Sequence, residues 1–215
     1  KDYLQGKADR DSVFVQPASW FQEQSITVRQ GTSVLGLQLG ERQVHLSDGT
    51  LLAYDALLLA SGSTPRRLRI PGADATGVHY LRTLDDADAL RAGLEATHHL
   101  VIVGGGWIGL EVAAAARAQG AAVTVLEQAE LPLVGVLGPE VAQVFADLHR
   151  AHGVDLRCGV GVRSFMTTDG AFAGVELADG TLLKADRAVV GVGATPSIEF
   201  ARSSGLAIGS GILVD

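Results

Sequence analysis

The hydrophobic pattern in the middle of the chain predicts alternating strands and helices. Residues 100–103 (LVIV) form a fully apolar run, which is typical of a strand buried on both faces. Residues 110–119 (LEVAAAARAQ) have a helical composition, and Gly120 is a candidate C-cap. Residues 122–126 (AVTVL) predict a second strand. The order of strand, helix and strand indicates a βαβ unit with parallel strands, and therefore an α/β fold.

The pattern after this unit predicts a further helix and a β-meander. We expect the helix to begin at Gly138, because Pro139 suits a first helical turn. Its apolar residues recur at helical spacing and are expected to face the core: Val141, Val144, Phe145 and Leu148. Residues 154–162 and 171–177 are then expected to form strands of the meander.

Two segments of the chain repeat one pattern at a fixed offset of 131 residues. Residues 44–65 (VHLSDGTLLAYDALLLASGSTP) align without a gap with residues 175–196 (VELADGTLLKADRAVVGVGATP), and 11 of the 22 positions are identical. Each segment predicts a strand, an Asp-Gly turn, a second strand, a buried strand and a glycine turn that ends in Thr-Pro. Asp-Gly hairpins resemble one another without common origin, but the shared Asp55/Asp186 and Gly62/Gly193 favour a duplication.

The repeat predicts two copies of one nucleotide-domain plan. The glycine loop of the second copy begins at Gly104, so the offset places the corresponding loop at 104 − 131 = −27, ahead of Lys1. We therefore expect this chain to be part of a longer protein.

The loop between the two central strands has the spacing of a dinucleotide site. Residues 104–109 (GGGWIG) follow the first strand directly, and Glu127 ends the second strand 127 − 104 = 23 residues after the first glycine. Gly104 permits the tight turn, Gly106 allows backbone to approach a pyrophosphate, and Gly109 lets the helix lie close to the sheet. The N-terminus of the helix favours phosphate.

Glu127 predicts a preference for NAD over NADP. Its carboxylate can accept both ribose hydroxyls and would repel a 2′-phosphate, and no arginine is near it in sequence. The alternatives are a glycine-rich turn that binds nothing and, for Glu127, an ordinary solvated acid at a strand end.

Composition narrows the classes of function. The 215 residues are 47% apolar with a mean hydropathy of +0.25, which argues against intrinsic disorder. A net charge of −7 disfavours a nucleic-acid-binding protein. No apolar run reaches the ~18–20 residues of a membrane span. The polar residues 1–11 show no secretory signal, so we expect a cytoplasmic protein with no membrane association.

Cysteine and histidine usage exclude two further kinds of site. The single Cys158 rules out an internal disulfide framework and a CxxC relay, and we expect it to be a buried structural thiol. His98 and His99 have no metal-ligand spacing, so no metal site is predicted.

Several motifs together give the chain a family resemblance. They lie at residues 1–4 (KDYL), 18–21 (ASWF), 59–66 (LASGSTPR), 81–87 (LRTLDDA), 104–113 (GGGWIGLEVA) and 190–193 (VGVG). The chain resembles the flavoprotein reductases with two dinucleotide-binding domains. More closely, it resembles the ferredoxin reductases that serve bacterial aromatic-ring dioxygenases and cytochromes P450, a group that shares the fold of apoptosis-inducing factor.

The resemblance implies two Rossmann-like domains, one inserted in the other, with β-meander crossovers. The FAD-binding pieces would be residues 1–66 and 190–215, and the NAD-binding domain residues 67–189. The implied catalytic pair is Lys1, beside flavin N5, with Glu111. The implied FAD contacts are Val34, Ala60, Ser61, Gly62 and Arg82, and the implied NADH contacts are Gly104, Gly106, Trp107, Ile108, Gly109, Glu127 and Gly193.

Two positions depart from the family pattern. Gly135 stands where members often carry an arginine that grips the nucleotide, which bears on NADH affinity. Trp107 is bulkier than the usual aliphatic residue, so it either stacks over a cofactor ring, narrows the entrance or packs as an ordinary core residue.

The implied function is NADH-dependent reduction of a [2Fe-2S] ferredoxin through FAD. Arg66, Arg67 and Arg69 form either a docking patch for that acidic partner or a solvated turn. Alternatives are an interaction protein like apoptosis-inducing factor, a bare NAD-binding module, and a disulfide or peroxide reductase. The last requires a redox-active cysteine, and Cys158 is in the wrong place for one. A homodimer is left open.

Overall fold

The computed structural model describes residues 2–214. The helices are α1 (Ala18–Glu23), α2 (Leu84–Leu94), α3 (Trp107–Ala118) and α4 (Val134–Ala151), with 3₁₀ turns at Arg10–Val13 and Glu199–Ala201. The strands are β1 (Val34–Gln38), β2 (Gln43–Leu46), β3 (Leu51–Ala53), β4 (Ser63–Pro65), β5 (Val78–His79), β6 (His99–Val103), β7 (Ala122–Leu126), β8 (Val154–Arg157), β9 (Val162–Thr168), β10 (Ala171–Leu177), β11 (Leu182–Lys184), β12 (Arg187–Val190) and β13 (Ala194–Pro196).

The chain divides into two compact units, with breaks after residues 13, 64 and 193. The large unit comprises residues 2–13 and 65–193, and the small unit comprises residues 14–64 and 194–214. The sequence predicts domain boundaries after residues 66 and 189, close to two of these breaks. It also predicts that residues 2–13 belong with the FAD-binding pieces, whereas here they group with the large unit. That the units are an FAD-binding and an NAD-binding domain stays a prediction.

A five-stranded parallel sheet organises the large unit in the order β5-β12-β6-β7-β8. Its centre is β6, where Leu100, Val101 and Ile102 are fully buried because both faces of the sheet are covered. On one face Ile102 packs in a core with Val112 and other residues of α3. This arrangement confirms the predicted α/β fold and the βαβ unit.

The opposite face of this sheet is covered by an antiparallel meander in the order β11-β10-β9. Val101 lies in one core with Phe165 and Phe172, whose rings meet edge to face at 5.4 Å between centroids. The predicted β-meander is therefore present, and β10 has the predicted limits of 171–177. The meander strand predicted at residues 154–162 is wrong, because residues 154–157 form β8 of the parallel sheet and the meander strand β9 covers residues 162–168.

The N-terminal segment packs on the large unit through Leu4 and Tyr3. Leu4 is buried in the core that contains Leu90 and Leu94 of α2. The Tyr3 hydroxyl donates a hydrogen bond to Asp88, and Arg10 pairs with the same carboxylate at 2.9 Å. Apolar burial and this ion pair together explain why residues 2–13 group with the large unit.

A second antiparallel meander, in the order β1-β2-β3, forms the small unit together with the paired strands β4 and β13. Its core contains Leu37, Val44 and Leu46. The Asp-Gly turns of the two meanders have the same hydrogen bonds: Leu46 N–H donates to the Thr50 carbonyl at 2.9 Å, and Leu177 N–H donates to the Thr181 carbonyl at 2.9 Å. The repeated sequence thus builds the same local structure twice.

The buried face of α4 differs from the prediction. Val141, Val144 and Leu148 are 46%, 64% and 50% exposed, whereas Ala142 and Ala146 are buried. The small alanine side chains let α4 lie close to β8, since Ala146 shares a core with residues of that strand. Helical backbone is also present ahead of the predicted start, from Val134, but it is broken at Gly138 (φ 73°), so the long helical segment that follows the break starts at Pro139 as predicted.

None of the helices formed by residues 2–214 is both long enough and apolar enough to span a bilayer.

Candidate functional site

A cleft of about 460 Å³ lies in the large unit at the carboxyl ends of three parallel strands, β6, β7 and β12. Strands β6, β7 and β8 follow one another outward on one side, whereas β12 lies on the other side of β6. This reversal of strand order is a topological switch point, where open α/β sheets bind ligands. Its lining residues are Leu68, Val103, Gly104, Gly106, Leu126, Glu127, Gln128, Val160, Gly161, Val162, Gly191, Val192 and Gly193.

Two positions of the loop accept only glycine, because neighbouring backbone atoms lie too close for a Cβ. Gly104 has a φ of 106°, and a Cβ there would lie 2.4 Å from the Gly191 carbonyl oxygen. A Cβ on Gly109 would lie 2.1 Å from the Gly104 carbonyl oxygen, beneath the first turn of α3. These glycines therefore hold the loop, the helix and the neighbouring strand together.

Gly106 faces open space in the cleft. It is the N-cap of α3, with φ −80°, and the nearest atom to a Cβ there would be the Gly191 carbonyl oxygen at 3.9 Å. The first intrahelical hydrogen bond runs from Leu110 N–H to the Gly106 carbonyl at 3.0 Å. The N–H groups ahead of Leu110 are therefore directed out of the helix, as an anion site at a helix N-terminus requires. The space and these donors fit a pyrophosphate.

The Glu127 carboxylate is held by two backbone amides at the rim of the cleft. One oxygen accepts the Gly105 N–H at 2.5 Å, and the other accepts the Ala129 N–H at 2.8 Å. Each carboxylate oxygen can accept a further hydrogen bond. Glu127 is thus oriented before any ligand binds, and it can still accept ribose hydroxyls.

The predicted NADH residues do not all line one cleft. Gly104, Gly106, Glu127 and Gly193 line it together, and Gly109 is buried beneath it. Their contact with NADH stays a prediction.

Trp107 and Glu111 line a different depression, a groove of about 550 Å³ between α3 and α4. Trp107 is 49% exposed, and its ring meets the Phe145 ring edge to face at 5.7 Å between centroids. Ile108 is 45% exposed, so neither side chain is an ordinary core residue within this chain.

Glu111 is exposed, and Lys1, its predicted partner, lies outside the described residues. Their ion pair stays a prediction.

The predicted FAD residues belong to both units. Val34 begins β1 and is 39% exposed. Ala60, Ser61 and Gly62 are exposed in the segment before β4, and Gly62 has a φ of 67°. Arg82 is an exposed residue of the large unit, ahead of α2. Their role in binding FAD also stays a prediction.

The half-buried Cys158 thiol is poorly suited to redox chemistry. Burial has the largest effect and raises its pKa, while the charge of Arg150 lowers it and that of Glu127 raises it. Because the thiolate is the reactive form, a raised pKa disfavours a redox role. Among residues 2–214, His, Cys, Asp and Glu side chains form no group of three or more arranged for a metal ion.

Sequence reasoning missed Gly191 and Gln128 as residues of the cleft. The Gly191 carbonyl oxygen is the atom that forces glycine at position 104, and Gln128 follows Glu127 at the rim. Gly191 could have been found from the rule that neighbouring parallel strands end at one sheet edge, because β12 ends directly before it.

The chain is similar over its full length to known reductases. The sequence profile of the family described as pyridine nucleotide-disulphide oxidoreductase matches residues 2–215. Rhodocoxin reductase from Rhodococcus erythropolis is 41% identical over 215 residues, which are 100% of this chain and 50% of that protein.

Two crystal structures show the same fold. The ferredoxin reductase for the CYP199A2 system from Rhodopseudomonas palustris has a TM-score of 0.94 at 37% identity, over 100% of this chain and 53% of that one. The covalent putidaredoxin reductase–putidaredoxin complex has a TM-score of 0.93 at 39% identity, over 98% of this chain and 52% of that one. The chain thus spans about half the length of the relatives it matches.

Proposed function

The chain belongs to the pyridine nucleotide-disulphide oxidoreductase family, and we propose that the longer protein is an NADH-dependent ferredoxin reductase that uses FAD. The observation that carries the proposal is the glycine-loop cleft at the switch point, with Glu127 oriented at its rim. The names of the relatives, rhodocoxin reductase and putidaredoxin reductase, support ferredoxin as the electron acceptor. Fold alone would not support this choice, because one fold serves many reactions.

The cleft would bind NADH through its backbone and one acid. The N–H groups of the first turn of α3 would donate to the pyrophosphate, which approaches at Gly106. Glu127 would accept the ribose hydroxyls and repel the 2′-phosphate of NADPH. Gly193 would lie near the nicotinamide. These roles require no side chain to transfer a proton.

FAD, when bound, would accept a hydride from NADH and pass on single electrons. The exposed backbone of Ala60, Ser61 and Gly62 is open to such a ligand, and Val34 and Arg82 would contact it as well. Lys1 and Glu111 would form an ion pair beside flavin N5, where the ammonium group stabilises the negative charge of the reduced ring.

The proposed partner is a [2Fe-2S] ferredoxin. Arg67 pairs with Asp74 at 3.2 Å and stacks over Tyr80 at 4.6 Å from the ring centroid, so it is held in place. Arg66 and Arg69 are exposed beside it and are candidates for contacting an acidic ferredoxin. We place the reaction in the cytoplasm, where NADH is available. Sedimentation of the full-length protein distinguishes a monomer from a homodimer.

The test is the visible spectrum of the purified full-length protein. We expect flavin absorption that bleaches when NADH is added. When oxidised ferredoxin is then supplied, the flavin absorption should return and the ferredoxin spectrum should change to that of its reduced form. NADPH serves as the matched control and should bleach the flavin much more slowly. A protein without flavin, or one whose flavin NADH leaves oxidised, contradicts the proposal.

The test also separates the alternative functions. An interaction protein like apoptosis-inducing factor would bind NADH and FAD but would not turn over ferredoxin. A bare NAD-binding module would show no flavin. The position and raised pKa of Cys158 disfavour a disulfide reductase.

A further inference from the structure

The segment that leads into α2 is held on both sides of Arg82. Leu81, directly ahead of it, is partly buried against the core that contains Leu90 of α2. Thr83, directly after it, is the N-cap of α2 and has extended backbone, with φ −102° and ψ 169°. Arg82 itself is exposed. The arginine proposed to contact FAD therefore lies between a packed side chain and a helix cap.

Asp86 and Thr83 form a capping box at the start of α2. The Thr83 hydroxyl oxygen accepts the Asp86 N–H at 3.1 Å, and the Asp86 carboxylate accepts the Thr83 N–H at 2.7 Å. A capping box satisfies two backbone N–H groups at the start of a helix, and these two hydrogen bonds complete it.

A third hydrogen bond at the same carboxylate goes beyond the capping box. Oδ2 of Asp86, which accepts the Thr83 N–H, also accepts the Arg82 N–H at 3.0 Å. Arg82 precedes the N-cap, so its N–H lies outside the helix, and α2 does not require this bond. The bond fixes the backbone from which the Arg82 side chain extends. Asp86 thus has a role towards Arg82 that is separate from its role towards α2.

The Asp86 side chain accepts these bonds as a carboxylate. Burial raises its pKa, but the hydrogen bonds from Thr83 and Arg82 outweigh burial and hold the pKa below its ordinary value. The charge of Arg67 lowers the pKa in the same direction. Hydrogen bonds to an ionised acceptor are stronger than those between neutral groups. One charged oxygen therefore holds two consecutive backbone amides at neutral pH.

We propose that Asp86 is a positioning residue for FAD binding: its carboxylate holds the backbone of Arg82, so that the guanidinium group is placed for FAD before the cofactor binds. This role rests on the proposed function, in which Arg82 contacts FAD. A preoriented arginine loses less conformational entropy on binding, so its contact contributes more to affinity. Asp86 acts through Arg82 and needs no contact of its own with the cofactor.

Titration of the full-length apoprotein with FAD tests this role without NADH or ferredoxin. Flavin fluorescence measures the Kd for FAD. Asp86→Asn, which removes the charge, should raise this Kd about tenfold. Asp86→Glu keeps the carboxylate at a position where capping boxes usually carry glutamate, so its Kd should stay within about twofold of the wild-type value. Wild-type affinity in Asp86→Asn overturns the inference.

Thr83→Ala is the matched control for the stability of α2. It removes the hydroxyl oxygen that accepts the Asp86 N–H and retains the two N–H groups that the Asp86 carboxylate accepts. Thr83→Ala and Asp86→Asn should both lower the melting temperature, because each disrupts the cap. Only Asp86→Asn should weaken FAD binding. Equal weakening by both would show that the stability of α2 alone controls the affinity, and would overturn the inference.

A double-mutant cycle tests whether Asp86 acts through Arg82. Arg82→Ala should raise the Kd for FAD by itself, and Asp86→Asn should raise it no further when Arg82→Ala is already present. If the two substitutions instead weaken FAD binding independently, Asp86 acts by another route and the inference is wrong. Wild-type affinity in Arg82→Ala also overturns it.

These measurements separate the positioning role from the proposed function. A full-length protein that binds FAD with the expected coupling between Asp86 and Arg82, but does not reduce ferredoxin, retains the positioning role and rejects the reductase. A protein that reduces ferredoxin, but in which the two substitutions weaken FAD binding independently, retains the reductase and rejects the positioning role.

Discussion

Glu127 combines two tasks at one carboxylate. It holds the glycine loop through Gly105 N–H and the following turn through Ala129 N–H, while keeping acceptor capacity for a ribose. A preoriented acceptor loses less conformational entropy when the ligand binds. The acid therefore contributes to nucleotide choice through its charge and through the position it already holds.

Replacing Glu127 with alanine should weaken the preference for NADH. We expect kcat/KM with NADH to fall about tenfold, and kcat/KM with NADPH to change little or rise, because the repulsion of a 2′-phosphate is removed. Steady-state kinetics of the full-length protein with both nucleotides measure this. Glu130→Ala, at an exposed acid three residues away, is the control and should change neither value. A wild-type protein that already prefers NADPH would show that the role assigned to Glu127 is wrong.

Lys1 and Glu111 are predicted to act as a pair near the flavin. Lys1→Ala in the full-length protein should slow flavin reduction by NADH about tenfold, because a cation that stabilises the reduced flavin is lost. Stopped-flow absorbance of the flavin measures the rate. Lys7→Ala, at an exposed lysine of the same segment, is the matched control. Equal slowing by both substitutions would count against a specific role for Lys1.

At the scale of the element, the glycine loop divides its residues between packing and ligand binding. Gly104 and Gly109 are required by backbone atoms less than 3 Å from the position of a Cβ, whereas Gly106 has space around it. The same residue type thus serves the fold at two positions and the proposed cofactor at the third.

Two alanine substitutions should separate these roles. Gly109→Ala should destabilise the protein by about 1–3 kcal/mol, because its Cβ would overlap the Gly104 carbonyl oxygen. Gly106→Ala should leave the melting temperature near that of the wild type and raise the KM for NADH about tenfold, because a methyl group would occupy the pyrophosphate position. Thermal unfolding and steady-state kinetics give the two readouts. An unchanged KM in Gly106→Ala would remove Gly106 from the proposed site.

At the scale of the whole molecule, residues 2–13 belong to the large unit because a polar cluster supports the burial of Leu4. The Asp88 carboxylate accepts the Tyr3 hydroxyl and pairs with Arg10, and the Arg91 guanidinium lies 4.8 Å from the centre of the Tyr3 ring. The hydrogen bond from Tyr3, followed by that from Arg10, holds the pKa of Asp88 below its ordinary value.

This cluster predicts a pH-dependent contribution to stability. A carboxylate whose pKa is lower in the folded state stabilises the protein above its unfolded-state pKa, about 3.9 for aspartate, and the contribution is lost as the pH falls through the lower folded value. Asp88→Asn should therefore lower the melting temperature at pH 7, and its difference from the wild type should shrink below about pH 4. Circular dichroism of the full-length protein across this range measures it.

Asp85→Asn is the control for this prediction, because the Asp85 side chain is 91% exposed and contacts Arg10 at 3.2 Å. It should have a smaller effect at every pH, as exposed ion pairs usually do. If the melting temperatures of Asp88→Asn and the wild type differ by the same amount from neutral to acidic pH, the charge of Asp88 does not stabilise the segment.

The sequence by itself determined the βαβ unit, the glycine loop and the two matching Asp-Gly hairpins. These features depend on residues close together in the chain: an apolar run, a turn that requires glycine, and a side chain that bonds the amide two residues away, as Asp48 does for Thr50 at 2.9 Å. The candidate residues Gly104, Gly106 and Glu127 followed from the same local spacing.

Only the tertiary structure decided which surfaces these elements present. Alanines rather than valines of α4 are buried because the distance between helix and sheet selects small side chains, which periodicity alone does not reveal. The Gly191 carbonyl approaches Gly104, and Trp107 turns towards α4 instead of the cleft, because strands and helices far apart in sequence pack side by side. Contacts between residues far apart in the chain decide which residues share a site. The spacing of residues in a local sequence pattern does not reveal such contacts.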